Sequence, residues 1–205
     1  MFCPECKCEF VGWTSRCPVC KTPLVKKTPY IPMTIDEPIS YEALVNLVGE
    51  HGDQLRIDLS TTEIGLEKKW SFPYFGYGFA WAKRMQGAFD NISIDLLATE
   101  VGMDKQQGFP YRGYGFAWTR RMQGHVGGNP VVLTAKKVVR EKKQGFPYFG
   151  YGFAWTQEMS GECGNQLKVD LAATKVGKDE ERGFPYRGYG FAWIEKGMLT
   201  LAPSA

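Results

Sequence analysis

A ten-residue phrase rich in aromatic residues and glycine occurs four times in this chain. It reads FPYFGYGFAW at 72–81, returns letter for letter at 146–155, and recurs with one change at 109–118 and 184–193. The phenylalanines that open the copies are separated by 37, 37 and 38 residues. Such a period indicates tandem supersecondary units that bury their apolar faces against one another. Because the copies hold 22 of the 29 aromatic residues, we expect them to supply most of the core.

Each copy of the phrase is preceded by a segment in which apolar and polar residues alternate. In the first unit this segment runs over 55–59, and equivalent segments lie at 92–96 and 167–171. Alternation with a period of two is typical of a β-strand with one buried face. The phrase predicts a second strand, because large rings alternate with glycine or alanine over 77–82. Its face of small residues lets another backbone approach closely.

A polar stretch and a Phe-Pro-Tyr sequence separate the two strands of each unit. The first polar stretch is Glu67-Lys68-Lys69, and its composition predicts a solvated turn or loop tip. Proline has no backbone N–H and cannot occupy a central strand position, so Phe-Pro-Tyr predicts a loop or the first residue of a strand.

The architecture follows from counting strands. Four units of two strands give eight antiparallel strands, a number that closes into an up-and-down barrel without a free edge. A four-bladed propeller is the alternative, because 37 residues is only slightly short of a usual blade, and an open array of stacked hairpins is the third choice. We expect this all-β domain to span 53–205, in units of about 53–87, 88–124, 125–161 and 162–205.

Charged residues follow the same repeat. One position of the first strand is acidic in three units, and one position of the second strand is basic in the same three; the third unit lacks both. The acids are Asp58, Asp95 and Asp170, and the bases are Arg84, Arg121 and Lys196. Opposite charges on facing strands stabilise a hairpin, so we predict that these two positions face each other within each hairpin.

Five of the six cysteines lie in the first twenty residues, four of them as two CxxC pairs, Cys3 with Cys6 and Cys17 with Cys20. Four thiolates complete the tetrahedral shell that zinc prefers. Residues 1–25 resemble the short zinc ribbons that open many bacterial and archaeal proteins. The resemblance implies a structural Zn²⁺ and no particular activity. Iron in a rubredoxin-like site is the alternative.

The surplus thiol Cys8 sits where such ribbons tolerate almost any residue, so we interpret it as a bystander. Residues 26–52 then predict a linker rich in proline and lysine, followed by a short helix that Ser40 caps and Gly49 ends. The apolar face of this helix is expected to cover the repeat domain. Docking on another protein is the alternative for that face.

Composition limits the cellular setting. The sequence shows neither a signal peptide pattern at Met1 nor a run of eighteen apolar residues. Cysteines grouped in CxxC pairs suit metal binding in a reducing compartment. We therefore expect a cytoplasmic protein with no membrane partner.

Catalytic motifs are not apparent in the sequence. The histidines His51 and His125 do not recur in the repeat, and no nucleophile elbow or phosphate-binding loop is present. We expect no enzymatic activity.

A binding or scaffold role agrees better with the repeats, because they present the same groups several times to a macromolecular partner or to another copy of the chain. The candidate partner-binding residues are Tyr74, Tyr111, Arg112, Tyr148, Tyr186 and Arg187. Two alternatives remain open. These aromatic and basic residues suit a nucleic acid, and the barrel interior suits a small apolar ligand.

Overall fold

A computed structural model of the chain describes residues 38–71 and 74–204. Its elements are α1 (Tyr41–Glu50), β1 (Leu55–Ser71), β2 (Phe75–Phe89), β3 (Ile92–Gly108), β4 (Arg112–Val126), β5 (Asn129–Gly145), β6 (Phe149–Cys163), β7 (Leu167–Gly183) and β8 (Arg187–Pro203). The strands pair antiparallel in chain order, and β1 pairs with β8 to close the sheet. The predicted eight-stranded up-and-down barrel is therefore confirmed against the propeller and the open array. The predicted ribbon lies outside the described residues.

The barrel closes over only part of each strand. Neighbouring hairpins meet at four seams, which are the strand pairs β1–β8, β2–β3, β4–β5 and β6–β7. Each seam consists of six residue pairs. Within a hairpin the pairing continues much further, and β1 pairs with β2 from Ser60 to Ser71. An irregular register between Thr61 and Ile64, repeated in the other three hairpins, marks where the seams end. Beyond it each hairpin continues as a two-stranded arm. The four arms are 64–71 with 74–82, 101–119, 138–156 and 176–194.

The main core fills the closed part of the barrel and is made of aliphatic and methionine side chains. Leu59, Met85 and Leu96 are among its fully buried members. The expectation that the aromatic phrase supplies most of the core is wrong. Its large rings form four smaller clusters between neighbouring arms, as where Tyr77 and Phe79 pack on Ala117. The reason is positional, because the phrase lies in the arms and the aliphatic alternation lies in the barrel.

The second strands of the four hairpins, β2, β4, β6 and β8, meet along the faces that carry their glycines. A Cβ added to Gly115 would lie 2.5 Å from the carbonyl oxygen of Gly78, and one added to Gly152 would lie 2.4 Å from that of Gly115. Gly190 makes the same approach to Gly152 at 2.7 Å, and Gly78 makes it to Gly190 at 2.7 Å. These contacts form a closed cycle of four, so the arms pack backbone against backbone around a common axis.

Helix α1 covers one end of the barrel. The Ser40 side chain accepts a hydrogen bond from the Ala43 N–H at 3.2 Å, as predicted for the cap. Leu44 and Val48 are fully buried in the barrel core, and the Tyr41 hydroxyl accepts from the Gln166 N–H at 2.8 Å, in the turn between β6 and β7. In the described ranges no helix is long and apolar enough to span a lipid bilayer.

The polar stretches do not form turns, contrary to expectation. Glu67, Lys68 and Lys69 lie inside β1, and the turn of each described hairpin is the Phe-Pro-Tyr sequence itself. Charged side chains suit these strands because the outer face of an arm meets solvent. Several of them form ion pairs between arms, such as Lys143 with Glu180 at 2.7 Å.

Candidate functional site: the aromatic end

Tyr74 and the three described Phe-Pro-Tyr turns lie at the end of the barrel opposite to α1, because an up-and-down barrel places alternate turns at the same end. Their tyrosines touch one another in a closed ring. Ring centroids are 5.3 Å apart for Tyr74 and Tyr111, 6.0 Å for Tyr111 and Tyr148, 5.5 Å for Tyr148 and Tyr186, and 6.0 Å for Tyr186 and Tyr74. Adjacent ring planes are nearly perpendicular, which is a favoured aromatic geometry.

The phenylalanines of the described turns are far more exposed than this ring of tyrosines. Phe109, Phe146 and Phe184 are 89%, 92% and 89% exposed, whereas the tyrosines are 38–40% exposed. Phe72, at the equivalent position of the first turn, lies outside the described residues. We refer to the three phenylalanines and the four tyrosines as the aromatic end. The protein itself buries almost none of the phenylalanine surface there.

A glycine before each described phenylalanine shapes the turn. A Cβ on Gly108 would lie 2.8 Å from the ring of Tyr114, and one on Gly183 would lie 2.6 Å from the ring of Tyr189. Only a residue without a side chain leaves room for these second-layer tyrosines. These tyrosines pack between the arms directly beneath the turns, so the turns that carry the exposed rings rest on well-packed side chains.

Arginine is the only charged residue within two positions of any of the four turns. Arg112 Nη1 donates to the Phe109 carbonyl oxygen at 3.1 Å. The guanidinium carbon of Arg187 lies 5.0 Å from the Trp70 ring centroid, and that of Arg182 lies 4.3 Å from the Phe149 ring centroid. The aromatic end is therefore basic as well as apolar, with each arginine held against its own or a neighbouring arm.

The structure brings together all six of the partner-binding residues that the sequence suggested. All four tyrosines form one cluster, and Arg112 and Arg187 flank it from the second and fourth arms. The phenylalanines of the turns were missed. A large apolar residue beside proline in a turn was the available signal, because a turn offers little surface for burying it.

The four cysteines proposed as zinc ligands, Cys3, Cys6, Cys17 and Cys20, lie outside the described residues. So does Cys8. In the part of the chain that the structure describes, no group of three or more histidine, cysteine, aspartate or glutamate side chains is arranged to hold a metal.

The remaining groups of chemical interest are dispersed. The His51 ring bonds the Leu47 carbonyl oxygen at 2.9 Å and packs edge to face on Phe89, while His125 lies on β4, paired with Asp95 and Pro130 of the adjacent strands. Burial raises the pKa of the Cys163 thiol, which keeps it protonated at neutral pH.

The fold and this site define a small four-unit β-barrel with a rigid, exposed aromatic end. Comparisons with protein-family models, with curated proteins and with solved structures find no match.

Proposed function

We propose that this chain is a non-catalytic binding or scaffold protein that docks its aromatic end on a macromolecular partner. The observation that carries the proposal is the exposure of about nine-tenths of Phe109, Phe146 and Phe184, on three of the turns that carry the ring of tyrosines. Single exposed apolar residues are ordinary, but a contiguous apolar patch marks an interaction site.

The rigidity of the arms supports the same role. Their backbones touch along the glycine faces, and the buried hydroxyl of Thr119 donates to the Ala82 carbonyl oxygen of the neighbouring arm at 2.8 Å. A surface that is already ordered loses little conformational entropy when it binds. The aromatic end therefore has the preorganisation expected of a docking surface.

Two alternatives receive less support. For a nucleic acid, the tyrosines would have to offer free faces to bases, but they are packed edge to face on each other. For an apolar ligand inside the barrel, space would be needed where side chains such as Met85 and Leu133 are fully buried. We therefore favour a partner that contacts the phenylalanines.

For the N-terminal segment we propose a structural Zn²⁺ held by Cys3, Cys6, Cys17 and Cys20. The support is the spacing of the two CxxC pairs in the sequence. A closed shell of four thiolates leaves no position open for a substrate, so its role would be to fold the segment.

The docking role is tested by placing a photoreactive phenylalanine analogue at Phe146. The control position is Lys168, which is exposed on β7 in the closed part of the barrel. We expect a discrete adduct from position 146, identifiable by mass spectrometry, that is absent from position 168. The adduct should disappear when Phe109→Ser and Phe184→Ser are combined with the probe. Equal adducts at both positions, or none at 146, would contradict the proposed function.

A further inference from the structure

We infer that the occupant of the aromatic end is a second copy of this chain, in a head-to-head dimer. The inference rests on the proposed function, since it assumes that the aromatic end is the docking surface. A second copy is the partner that the symmetry, the area and the composition of this surface favour.

The aromatic end has an approximately fourfold arrangement. The ring of tyrosines has four nearly equal sides of 5.3 to 6.0 Å, and the arms repeat around the same axis. A set of exposed aromatic rings with this symmetry is complementary to a second copy of itself. When one copy is rotated by about half the repeat angle, its rings fit between the rings of the other. The contact uses the same patch on both subunits, so it closes at two copies and cannot grow into a fibre.

The exposed area of the aromatic end is comparable to one side of a protein interface. Three phenylalanines are about 90% exposed and four tyrosines 38–40% exposed. At roughly 200 Å² for each aromatic side chain, the exposed surface of these seven residues is about 800–900 Å². A stable protein interface buries about 800 Å² on each partner. The aromatic end is therefore large enough for a specific dimer.

The composition of the aromatic end resembles that of a homodimer interface. The interfaces of homodimers are more apolar than the rest of a protein surface, and aromatic residues and arginine are enriched in them. Arg112, Arg182 and Arg187 are the only charged residues within two positions of the turns in the sequence, so none of the charges there is acidic. Two such faces repel each other weakly. Since salt screens that repulsion, added salt should tighten the dimer, whereas it weakens binding to nucleic acids or anionic lipids.

The test is sedimentation equilibrium of the full chain at about 1 to 100 μM, at low and high salt. We expect a monomer–dimer equilibrium that shifts toward dimer as salt rises. Phe146→Glu and Phe146→Arg, at the most exposed phenylalanine, should each weaken the dimer by about tenfold or more. Both variants should keep the wild-type melting temperature, because Phe146 contributes almost nothing to the core.

A matched control removes exposed apolar residues elsewhere. Leu97 and Val132 lie on the outer wall of the barrel and are 45% and 37% exposed. Leu97→Ser combined with Val132→Ser should leave the dimer constant unchanged. A dimer that this control weakens as much as the Phe146 variants do would overturn the inference.

Other outcomes separate the inference from the proposed function. A chain that stays monomeric at every concentration and salt overturns the inference. So does an association that neither Phe146 variant changes, because another surface then carries it. If Phe146→Arg instead strengthens binding to single-stranded DNA or to phosphatidylserine vesicles while Phe146→Glu abolishes it, the partner is anionic. In that case the aromatic end is still a docking surface and only the second copy is excluded.

Discussion

Arg84 of β2 and Asp95 of β3 form a bidentate ion pair across the seam between the first and second hairpins, with Arg84 Nε 2.7 Å from Asp95 Oδ1. We predicted that such charges face each other within a hairpin. Arg84 is instead joined to the acid of the next unit. At the next seam the acid is replaced by Val132, and Arg121 forms an ion pair with Glu100 of its own hairpin, with Arg121 Nη1 3.5 Å from Glu100 Oε1.

This pair makes the stability of the barrel depend on pH. The Arg84 guanidinium holds the pKa of the Asp95 carboxyl below its usual range. A carboxyl with a lowered pKa in the folded state stabilises the fold at pH values above its unfolded pKa, and that contribution is lost as pH falls through the folded pKa. We expect Asp95→Asn to lower the free energy of unfolding by about 1 kcal/mol at pH 7. Urea unfolding at pH 7 and in the acid range below pH 4 measures the difference.

Asp170 is the matched control, because it occupies the same repeat position in the fourth unit. Its partner Lys168 is on the same strand, and the two side chains are 44% and 50% exposed. Asp170→Asn should change the free energy of unfolding by less than about 0.5 kcal/mol. An Asp95→Asn deficit that is as large in acid as at pH 7 would show that the loss does not come from the charge.

The glycine cycle predicts a large loss of stability from one methyl group. A Cβ at Gly115 would lie 2.5 Å from the Gly78 carbonyl oxygen and 3.0 Å from its nitrogen, and backbone cannot move aside as a side chain can. Gly115→Ala should cost about 3 kcal/mol in the free energy of unfolding. Gly49 in α1 is the control, since a Cβ there meets nothing within 4 Å. Gly49→Ala should instead stabilise the protein by about 0.5–1 kcal/mol. Equal effects at the two positions, measured by urea unfolding, would refute close packing of the arms.

Thr119 connects two neighbouring arms through a buried hydrogen bond. Its hydroxyl donates to the Ala82 carbonyl oxygen at 2.8 Å, and the side chain is almost fully buried. Thr119→Val keeps the shape and removes the donor, so we expect a loss of about 1–2 kcal/mol. Thr62→Val, at an exposed position of β1, should change the free energy of unfolding little. Thermal or urea unfolding of both variants decides the point, and a neutral Thr119→Val would mean that the bond contributes nothing to stability.

Most of the fold was predictable because burial and local pattern agree. The alternation at 55–59 predicted an inward-facing strand, and the repeat count predicted eight strands. The prediction failed at Glu67-Lys68-Lys69, where a charged run reads as a turn. On the outer face of an arm such charges remain solvated while the backbone stays paired. Polarity alone does not show this.

The site was only partly predictable, for a related reason. The repeats showed that Tyr74 and Tyr111 are equivalent, but not whether they face solvent, other proteins or each other. Their edge-to-face ring depends on the close approach of four arms, a tertiary effect of the glycine faces. The exposure of Phe146 likewise depends on the turn being tight enough to leave the ring no neighbour.

The cysteine spacing at the N-terminus predicts one bound metal ion per chain. Elemental analysis of the purified protein should find about one zinc and little iron for each chain, and the absorbance of an iron–thiolate centre should be absent. Cys6→Ser and Cys20→Ser each remove one of four proposed ligands, so both should lose most of the metal. Cys8→Ser is the matched control and should retain it.

The same variants test whether the stability of the barrel depends on the metal. The proposed ligands all precede residue 21, whereas β1 begins at Leu55. We therefore expect Cys20→Ser to leave the melting temperature of the barrel unchanged, while proteolysis of the N-terminal segment becomes faster because its folding depends on the metal. Retention of zinc in Cys6→Ser and Cys20→Ser, together with its loss in Cys8→Ser, would contradict the proposed ligand set and place Cys8 in the metal shell.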